Sequence, residues 1–335
     1  MQKGNASILL DKPVYVEATA SVVGQKEGEG PLAEEFDIIE NDPMFGVDNW
    51  EKAESTLQGK TIDKLFIKSG LKYEDVRYIF AGDLLGQLIA SSFGIKKYGI
   101  PFFGLYGACS TFGEALSIGA FTVANDGADR VIAMASSHFA SAEKQFRFPL
   151  EYGNQRPMAS TWTVTGCGAV ILSKIKSPVK VTGFTTGKIV DYGVKDSMNM
   201  GAAMAPAAAD LIETNLNDFG VNANYYDKII TGDLGTVGSK ILHDILLEKG
   251  IELSANHTDC GILMFDSQLQ DTKAGGSGCG CSAATFCGHI YNNLKEGKWK
   301  RVLLVPTGAL LSTVSYNEGE SIPGIAHGVV IESEG

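Results

Sequence analysis

The residues of this sequence that could do chemistry centre on one cysteine, Cys109, in the segment 107–114, which reads GACSTFGE. An apolar run precedes the cysteine and a helical pattern follows it, so the thiol lies at a strand-to-helix junction. Thr111 and Glu114 have the spacing of a capping box, which predicts a helix directly after the thiol. A helix N-terminus would favour a thiolate nucleophile, but its N–H groups would equally bind a carboxylate without chemistry. A small buried residue is the third possibility.

An internal duplication surrounds this cysteine. Two pairs of segments match in the same order: 75–84 with 225–234, and 109–137 with 281–308. The matches align Asp83 with Asp233 and Cys109 with Cys281. The sequence therefore predicts two similar halves, each with an acidic residue after a strand and a cysteine near a helix.

Strand-like apolar runs alternate with helical patterns in both copies. This alternation predicts an α/β fold of mostly parallel sheets covered by helices, and the 40 glycines suit its tight turns. A break near 173–183 divides the chain into an N-terminal half, residues 1–175, and a C-terminal half, residues 176–335. Because sheets of this kind need helices on both faces, the helices that follow Cys109 and Cys281 should form a shared inner layer.

Composition excludes several classes of partner. With 28 basic and 39 acidic residues the net charge is −11, and no basic cluster is present, so we expect no nucleic acid partner. No signal peptide or membrane-spanning segment is expected either. The 6 cysteines lack the spacing of a disulfide framework or a zinc site, so we predict free thiols and no protein-bound metal.

Charged side chains near the cysteine are candidates for ligand contacts. His138 follows a predicted strand, at the sheet edge where ligands bind in α/β proteins. Arg147 and Arg156 could each bind a carboxylate through two parallel hydrogen bonds. Asp83 and Asp233 would repel a bare anion but could supply oxygen ligands to calcium.

Three segments resemble the thiolase and ketoacyl-synthase superfamily: GACST at 107–111, TVTGCGAVILS at 163–173 and GIAHGVVIES at 324–333. The resemblance implies a thiolase-like duplicated five-layer α/β/α/β/α sandwich with two mixed, mostly parallel sheets, and a homodimer. The histidines of those enzymes are missing, however. Asp233 lies in a Gly-Asp-Leu-Gly turn where synthases carry His-Gln-Ala-Asn, and Ser277 stands where thiolases carry histidine. We therefore expect no condensing activity, with Cys109 as a vestigial nucleophile.

Further segments, among them AGDLLGQ, SSHFASAEKQFRFPLEYG and AGGSGCGCSA, resemble a thiolase-like family of stage V sporulation proteins from spore-forming bacteria. This resemblance implies a protein of the forespore or spore that binds dipicolinic acid (pyridine-2,6-dicarboxylate), alone or as its calcium chelate, and assists its uptake. It would lie peripherally at the inner spore membrane with other stage V sporulation A proteins, and no cofactor is implied beyond calcium carried by the ligand.

The candidate ligand contacts are Asp83, Cys109, Ser110, Thr111, His138, Arg147, Arg156, Asp233, Ser277 and Cys281. The free N–H groups expected at the helix N-terminus favour a bare dianion over its calcium chelate. Two alternative functions stay open: an acyltransferase that uses Cys109 with His138 as base, and a structural subunit that recruits membrane partners.

Overall fold

A computed structural model describes residues 1–146 and 155–335 of the chain. Its strands are β1 (Gln2–Lys3), β2 (Ser7–Gly24), β3 (Ile38–Glu40), β4 (Tyr78–Gly82), β5 (Phe102–Gly104), β6 (Arg130–Ser137), β7 (Trp162–Thr163), β8 (Gly166–Ser173), β9 (Val179–Thr186), β10 (Lys228–Thr231), β11 (His257–Asp259), β12 (Gly276–Ser277), β13 (Arg301–Val305), β14 (Thr307–Ala309) and β15 (Gly324–Ser333). Its α-helices are α1 (Gln25–Gly28), α2 (Trp50–Ser69), α3 (Ile89–Ile95), α4 (Thr111–Ala124), α5 (Phe139–Phe146), α6 (Met200–Phe219), α7 (Gly235–Glu248), α8 (Cys260–Met264), α9 (Cys279–Thr285), α10 (Tyr291–Lys295) and α11 (Thr313–Asn317). A π-helical turn, Phe286–Ile290, joins α9 to α10.

The large sheet has the strand order β11-β10-β13-β15-β9-β2-β8-β6-β4-β5. Strands β4 and β10 each run parallel to both of their neighbours, while β8 and β15 run antiparallel to theirs. An antiparallel pairing of β2 with β9 joins the two groups of five strands edge to edge. The expectation of mixed, mostly parallel sheets is confirmed, because four strands of each group run in the same direction and only β15 or β8 runs against them. A parallel neighbour requires a long crossover connection, and the helices described before β8 and β15 are short.

Helices cover the sheet in layers. Helices α2 and α3 pack outside the strands β2, β4 and β8, and α6 and α7 pack on the opposite outer side, where α6 contacts β15. Helix α4 contacts β4 and β6 as well as β15, and it packs against α9 between the two groups of strands. This arrangement is the five-layer α/β/α/β/α fold, and it confirms the fold class expected from the sequence.

The inner layer is held by apolar side chains that no solvent reaches. The rings of Phe112 in α4 and Phe286 after α9 lie 5.6 Å apart, and both are fully buried. Burial of one such ring stabilises the fold by about 1.5–3 kcal/mol. The prediction of an inner layer was correct, although α9 begins at Cys279, two residues before Cys281.

The register of the parallel strands fixes the positions of functional residues. Thr231 at the end of β10 lies opposite Val305 at the end of β13. Asp233 and Thr307 each follow two residues later, so both side chains reach the same edge of the sheet. None of the helices within the described residues is both long and apolar enough to cross a membrane.

Candidate ligand-binding site

The turn that carries Cys109 is built by backbone and hydroxyl hydrogen bonds. The carbonyl of Gly107 accepts from the backbone N–H of Ser110 at 3.0 Å and from its hydroxyl at 2.6 Å. The hydroxyl of Thr111 donates to the carbonyl of Ala108 at 2.7 Å and accepts from the N–H of Gly107 at 3.0 Å. The Ser110 and Thr111 hydroxyls therefore stabilise the turn, and the prediction that they contact a ligand has no support here.

The expected capping box does not form. Helix α4 begins with Thr111 as its first residue, because the threonine hydroxyl finds nearer partners in the preceding turn. Burial raises the pKa of Glu114, whose Oε2 has no hydrogen-bond partner among residues 1–146 and 155–335. Ala108 has a left-handed backbone, with φ of 49°, which is strained for a residue other than glycine.

Three of the predicted site residues come together at the end of β10. The buried carboxylate of Asp233 accepts hydrogen bonds from the Ser277 hydroxyl and the Gly278 N–H, both at 2.9 Å, and from the Thr307 hydroxyl at 2.7 Å. The thiol of Cys109 donates a fourth hydrogen bond to the same carboxylate. Cys109, Asp233 and Ser277 thus form one connected group across the two halves of the chain.

The electrostatics of this group keep the thiol protonated. Burial, followed by the negative charge of Asp233, raises the pKa of Cys109 well above its ordinary value. Burial also raises the pKa of Asp233, and its four donors oppose that rise. Of the roles that the sequence left open for Cys109, a thiolate at the helix N-terminus is disfavoured, since burial and the neighbouring carboxylate both favour the neutral thiol.

The backbone N–H groups at the start of α4 are also largely occupied. The N–H groups of Ser110 and Thr111 donate to the carbonyls of Gly107 and Ala108, and those of Gly113 and Glu114 donate to the carbonyl of Ser110. An anion at this position would meet fewer free donors than the sequence suggested. The helix N-terminus therefore favours a bare dianion less than the sequence indicated.

A small cavity of about 40 Å³ lies against Cys109. Its walls are apolar side chains together with four residues that carry hydroxyl groups, Tyr106, Thr161, Thr163 and Ser277. It adjoins a cavity of about 560 Å³, with which it shares four lining residues, Leu84, Tyr106, Phe146 and Leu311. No lysine, arginine, histidine or carboxylate lines either cavity within the part of the chain that the structure describes. Burial raises the pKa of Tyr106 to about 12, so its phenol stays a neutral hydrogen-bond donor.

Asp83, the counterpart of Asp233, has a different role. One of its carboxylate oxygens accepts from the N–H of Leu85 at 2.8 Å, and the other accepts from both the N–H and the hydroxyl of Ser91. These bonds fix the chain between β4 and α3. Asp83 does not line the Cys109 cavity, which is a correction to the sequence-based prediction.

The remaining candidates lie elsewhere. His138 is buried, donates to the carbonyl of Pro43 and lines a separate cavity. Arg156 lies over the ring of Trp162 at 4.7 Å and donates to a backbone carbonyl. Cys281 is fully buried in α9, and burial keeps its pKa well above the ordinary value. Arg147 lies outside the described residues.

Sequence reasoning missed two residues of the site. Thr307 orients Asp233, and Tyr106 supplies a phenol to the cavity wall. Thr307 directly follows the strand-like run 301–306, and Asp233 follows the neighbouring parallel strand, so the shared sheet edge was the available signal. Within the described residues, no group of three His, Cys, Asp or Glu side chains is arranged to hold a metal ion.

Comparison with known proteins agrees with this architecture. Residues 4–332 match the family model described as stage V sporulation protein AD (SpoVAD). Stage V sporulation protein AD of Bacillus subtilis (strain 168) is 42% identical over 332 residues, which cover 99% of this chain and 98% of that protein.

Solved structures share the fold at low sequence identity. The 3-oxoacyl-[acyl-carrier-protein] synthase III of Aquifex aeolicus VF5 superposes with a TM-score of 0.55 at 12% identity, covering 95% of this chain and 99% of that one. Human mitochondrial 3-ketoacyl-CoA thiolase superposes with a TM-score of 0.59 at 11% identity, covering 98% and 100%. These likenesses show a thiolase and ketoacyl-synthase fold, and the family match shows that the chain belongs to the stage V sporulation protein AD family.

Proposed function

We propose that this protein binds dipicolinic acid in the cavities beside Cys109, without catalysing condensation, and assists uptake of the ligand into the spore. The observation that carries the proposal is the contact between Cys109 and Asp233. A condensing enzyme needs a reactive thiolate and a base that can accept and return protons. Here burial of the thiol, together with the Asp233 carboxylate to which it donates, raises the pKa of Cys109, so that the cavity holds a neutral thiol in place of a nucleophile.

The charge of the walls favours the calcium chelate over the bare acid. Dipicolinate carries two negative charges at neutral pH, whereas its complex with one calcium ion is neutral. The described lining of both cavities contains no cationic side chain, and Asp233 lies directly behind the thiol. A bare dianion would lose its hydration without a compensating charge, which is costly in a partly buried site.

Hydroxyl groups in the cavity wall could form hydrogen bonds with the polar edge of such a ligand. Tyr106 and Thr161 supply neutral hydroxyl groups around an otherwise apolar space, and Ser277, whose proton goes to Asp233, can act as an acceptor. Asp83 and Asp233 are not needed as calcium ligands in this proposal, because their oxygens already accept internal hydrogen bonds. In this proposal dipicolinate, and not the protein, binds the calcium ion.

Calorimetric titration tests the proposal. The full chain is titrated with dipicolinate, with calcium chloride, and with the equimolar mixture; heat should appear with the mixture and be absent with calcium alone. Stronger binding of dipicolinate without calcium would contradict the charge argument. Absence of heat in every titration would favour the structural alternative, a subunit that recruits membrane partners.

A separate labelling experiment tests the acyltransferase alternative. The protein is incubated with acetyl-CoA and digested with trypsin, and the mass of the peptide that contains Cys109 is measured by mass spectrometry. We expect no acyl adduct, because the protonated thiol is a poor nucleophile. A stoichiometric adduct that turns over would overturn the non-enzymatic proposal.

We further propose that the protein works as a homodimer at the inner spore membrane, held there by membrane-embedded stage V sporulation A proteins. Strand β5 is the edge of the sheet, and Phe103 on it and Phe93 in α3 are 50% and 56% exposed. An exposed apolar edge strand is a ready surface for pairing with a second copy. With a net charge of −11 we expect no sedimentation with phosphatidylglycerol vesicles free of protein, and such sedimentation would contradict a need for protein partners.

A further inference from the structure

A chain of hydrogen bonds leads from the surface of α7 to a buried carboxylate. Nε2 of His243 lies 3.0 Å from Nδ1 of His257, and Nε2 of His257 lies 3.0 Å from the hydroxyl oxygen of Thr231. That hydroxyl oxygen lies 2.6 Å from Oδ2 of Asp259. Asp259 is fully buried at the end of β11, whereas His243 is half-buried between exposed residues of α7. The chain therefore connects the protein surface to the interior of the C-terminal half.

When Asp259 is ionised, it fixes the direction of every hydrogen bond in this chain. A carboxylate can only accept, so the Thr231 hydroxyl donates to Asp259, and its oxygen accepts from Nε2–H of His257. Neutral His257 then has no proton on Nδ1, which accepts from Nε2–H of His243. The charge on one buried carboxyl group thus determines which nitrogen of His257 carries the proton.

Protonation of Asp259 reverses these hydrogen bonds. Oδ2–H of Asp259 then donates to the oxygen of Thr231, and the Thr231 hydroxyl donates to Nε2 of His257. Nδ1–H of His257 donates in turn to Nε2 of His243, whose own proton is now on Nδ1. One proton enters from solvent at His243, and each of the protons already in the chain moves from its donor to its acceptor. Both end states are fully hydrogen-bonded, and neither leaves a charge on His257.

The charges around the chain place the added proton on the carboxyl group. Burial, assisted by the negative charge of Asp233, raises the pKa of Asp259 to about 6. Burial lowers the pKa of His257 to about 3, so this ring stays neutral when Asp259 takes up a proton. The other titratable groups that act on the chain, among the described residues, are Lys228 in β10, Glu252 before β11, Cys260 in α8 and Cys281 in α9. Burial keeps the pKa of both thiols well above the ordinary value, so they stay neutral in the same pH range.

We propose that His243, His257 and Thr231 form a proton path through which the buried carboxyl group of Asp259 follows the pH of the surroundings. The path reaches the candidate site, because Asp259 also accepts from the N–H groups of Leu234 and Gly235, which directly follow Asp233. A proton on Asp259 removes a negative charge beside Asp233 and weakens the hydrogen bond from the Leu234 N–H to Oδ2. The path does not depend on the ligand proposed for the Cys109 cavities.

NMR of the full chain labelled with ¹⁵N in histidine tests this proposal, because long-range ¹H–¹⁵N correlations show which ring nitrogen carries a proton. The sequence has five histidines, and a His257→Gln variant identifies the signals of His257. His257 should carry its proton on Nε2 at pH 8 and mainly on Nδ1 at pH 5.5, below the pKa of Asp259. Buried His327, whose Nδ1 accepts from the Gly187 N–H, should keep its proton on Nε2 at both pH values and serves as the reference. The proposal is wrong if His257 keeps its proton on Nε2 at pH 5.5 or becomes doubly protonated there.

A matched pair of variants tests whether the tautomer of His257 responds to Asp259 through the chain. Thr231→Val replaces the hydroxyl by a methyl group of similar size and interrupts the chain, so His257 should have the same tautomer at pH 5.5 and pH 8. Thr236→Val, at an exposed position on α7, is the control and should retain the change of tautomer. If Thr231→Val retains it as well, His257 responds to another group and the proposed path is refuted. Should Thr231→Val fail to fold, the comparison of the two pH values in the wild-type protein still decides the proposal.

Discussion

Replacement of Asp233 by asparagine should make Cys109 more reactive. The change removes a negative charge that contacts the thiol, and such a charge raises a neighbouring pKa by about 1–3. The thiolate fraction at neutral pH would rise by the corresponding powers of ten. The intrinsic nucleophilicity of a thiolate falls with its pKa, with a Brønsted coefficient near 0.5, so the net gain in rate is about three- to thirtyfold.

Alkylation by iodoacetamide measures this change directly. The other five cysteines are buried and should react only after unfolding, so native-state labelling reports Cys109. The rate is followed from pH 6 to pH 10 by mass spectrometry of the Cys109 peptide. The wild-type rate should stay low at a pH where a free thiol, with a pKa of about 8.5, already reacts.

Asp83→Asn is the matched control, because Asp83 occupies the equivalent position in the other half but bonds to Leu85 and Ser91. It should leave the labelling rate unchanged. If both substitutions accelerated alkylation of Cys109 equally, the charge explanation would be refuted, since the effect would then come from a general destabilisation of the fold. A wild-type Cys109 that titrates at or below the ordinary thiol pKa would refute it without any variant.

Three further predictions follow from the same structure. Cys109→Ser should retain binding of calcium dipicolinate, whereas Cys109→Trp should abolish it by filling the cavity; calorimetry with a circular-dichroism check of folding tests both. Burial raises the pKa of Glu54 to about 8, so the folded state holds this proton more tightly than the unfolded chain, and the free energy of unfolding should fall between pH 4.5 and pH 8. In urea titrations, Glu54→Gln should make the free energy of unfolding depend less on pH over this range, and an unchanged pH dependence would contradict the prediction. Phe103→Asp should convert the expected dimer into a monomer by light scattering, and a wild-type monomer at micromolar concentration would argue against the dimer itself.

The sequence alone determined the architecture and the family. Apolar runs that alternate with helical patterns, repeated in two copies, predicted the α/β fold and its inner helices, because burial of periodic apolar faces leaves few arrangements. The sequence also marked Cys109, Asp233 and Ser277, since all three fall on motif positions of a known superfamily. Those predictions depend on the order of the motifs along the chain and on the local spacing of apolar residues, and the sequence contains both.

Only the tertiary structure decided what each marked residue does. Asp83 and Asp233 sit in the same Gly-Asp-Leu motif, yet Asp83 bonds to the nearby residues Leu85 and Ser91, while Asp233 receives donors from two distant segments and from the thiol. The side of β7 that a residue faces separates Thr163 at the Cys109 cavity from Trp162 at the cavity that His138 lines. Hydrogen bonding and pKa depend on which long-range groups arrive after packing, and a local motif does not specify them.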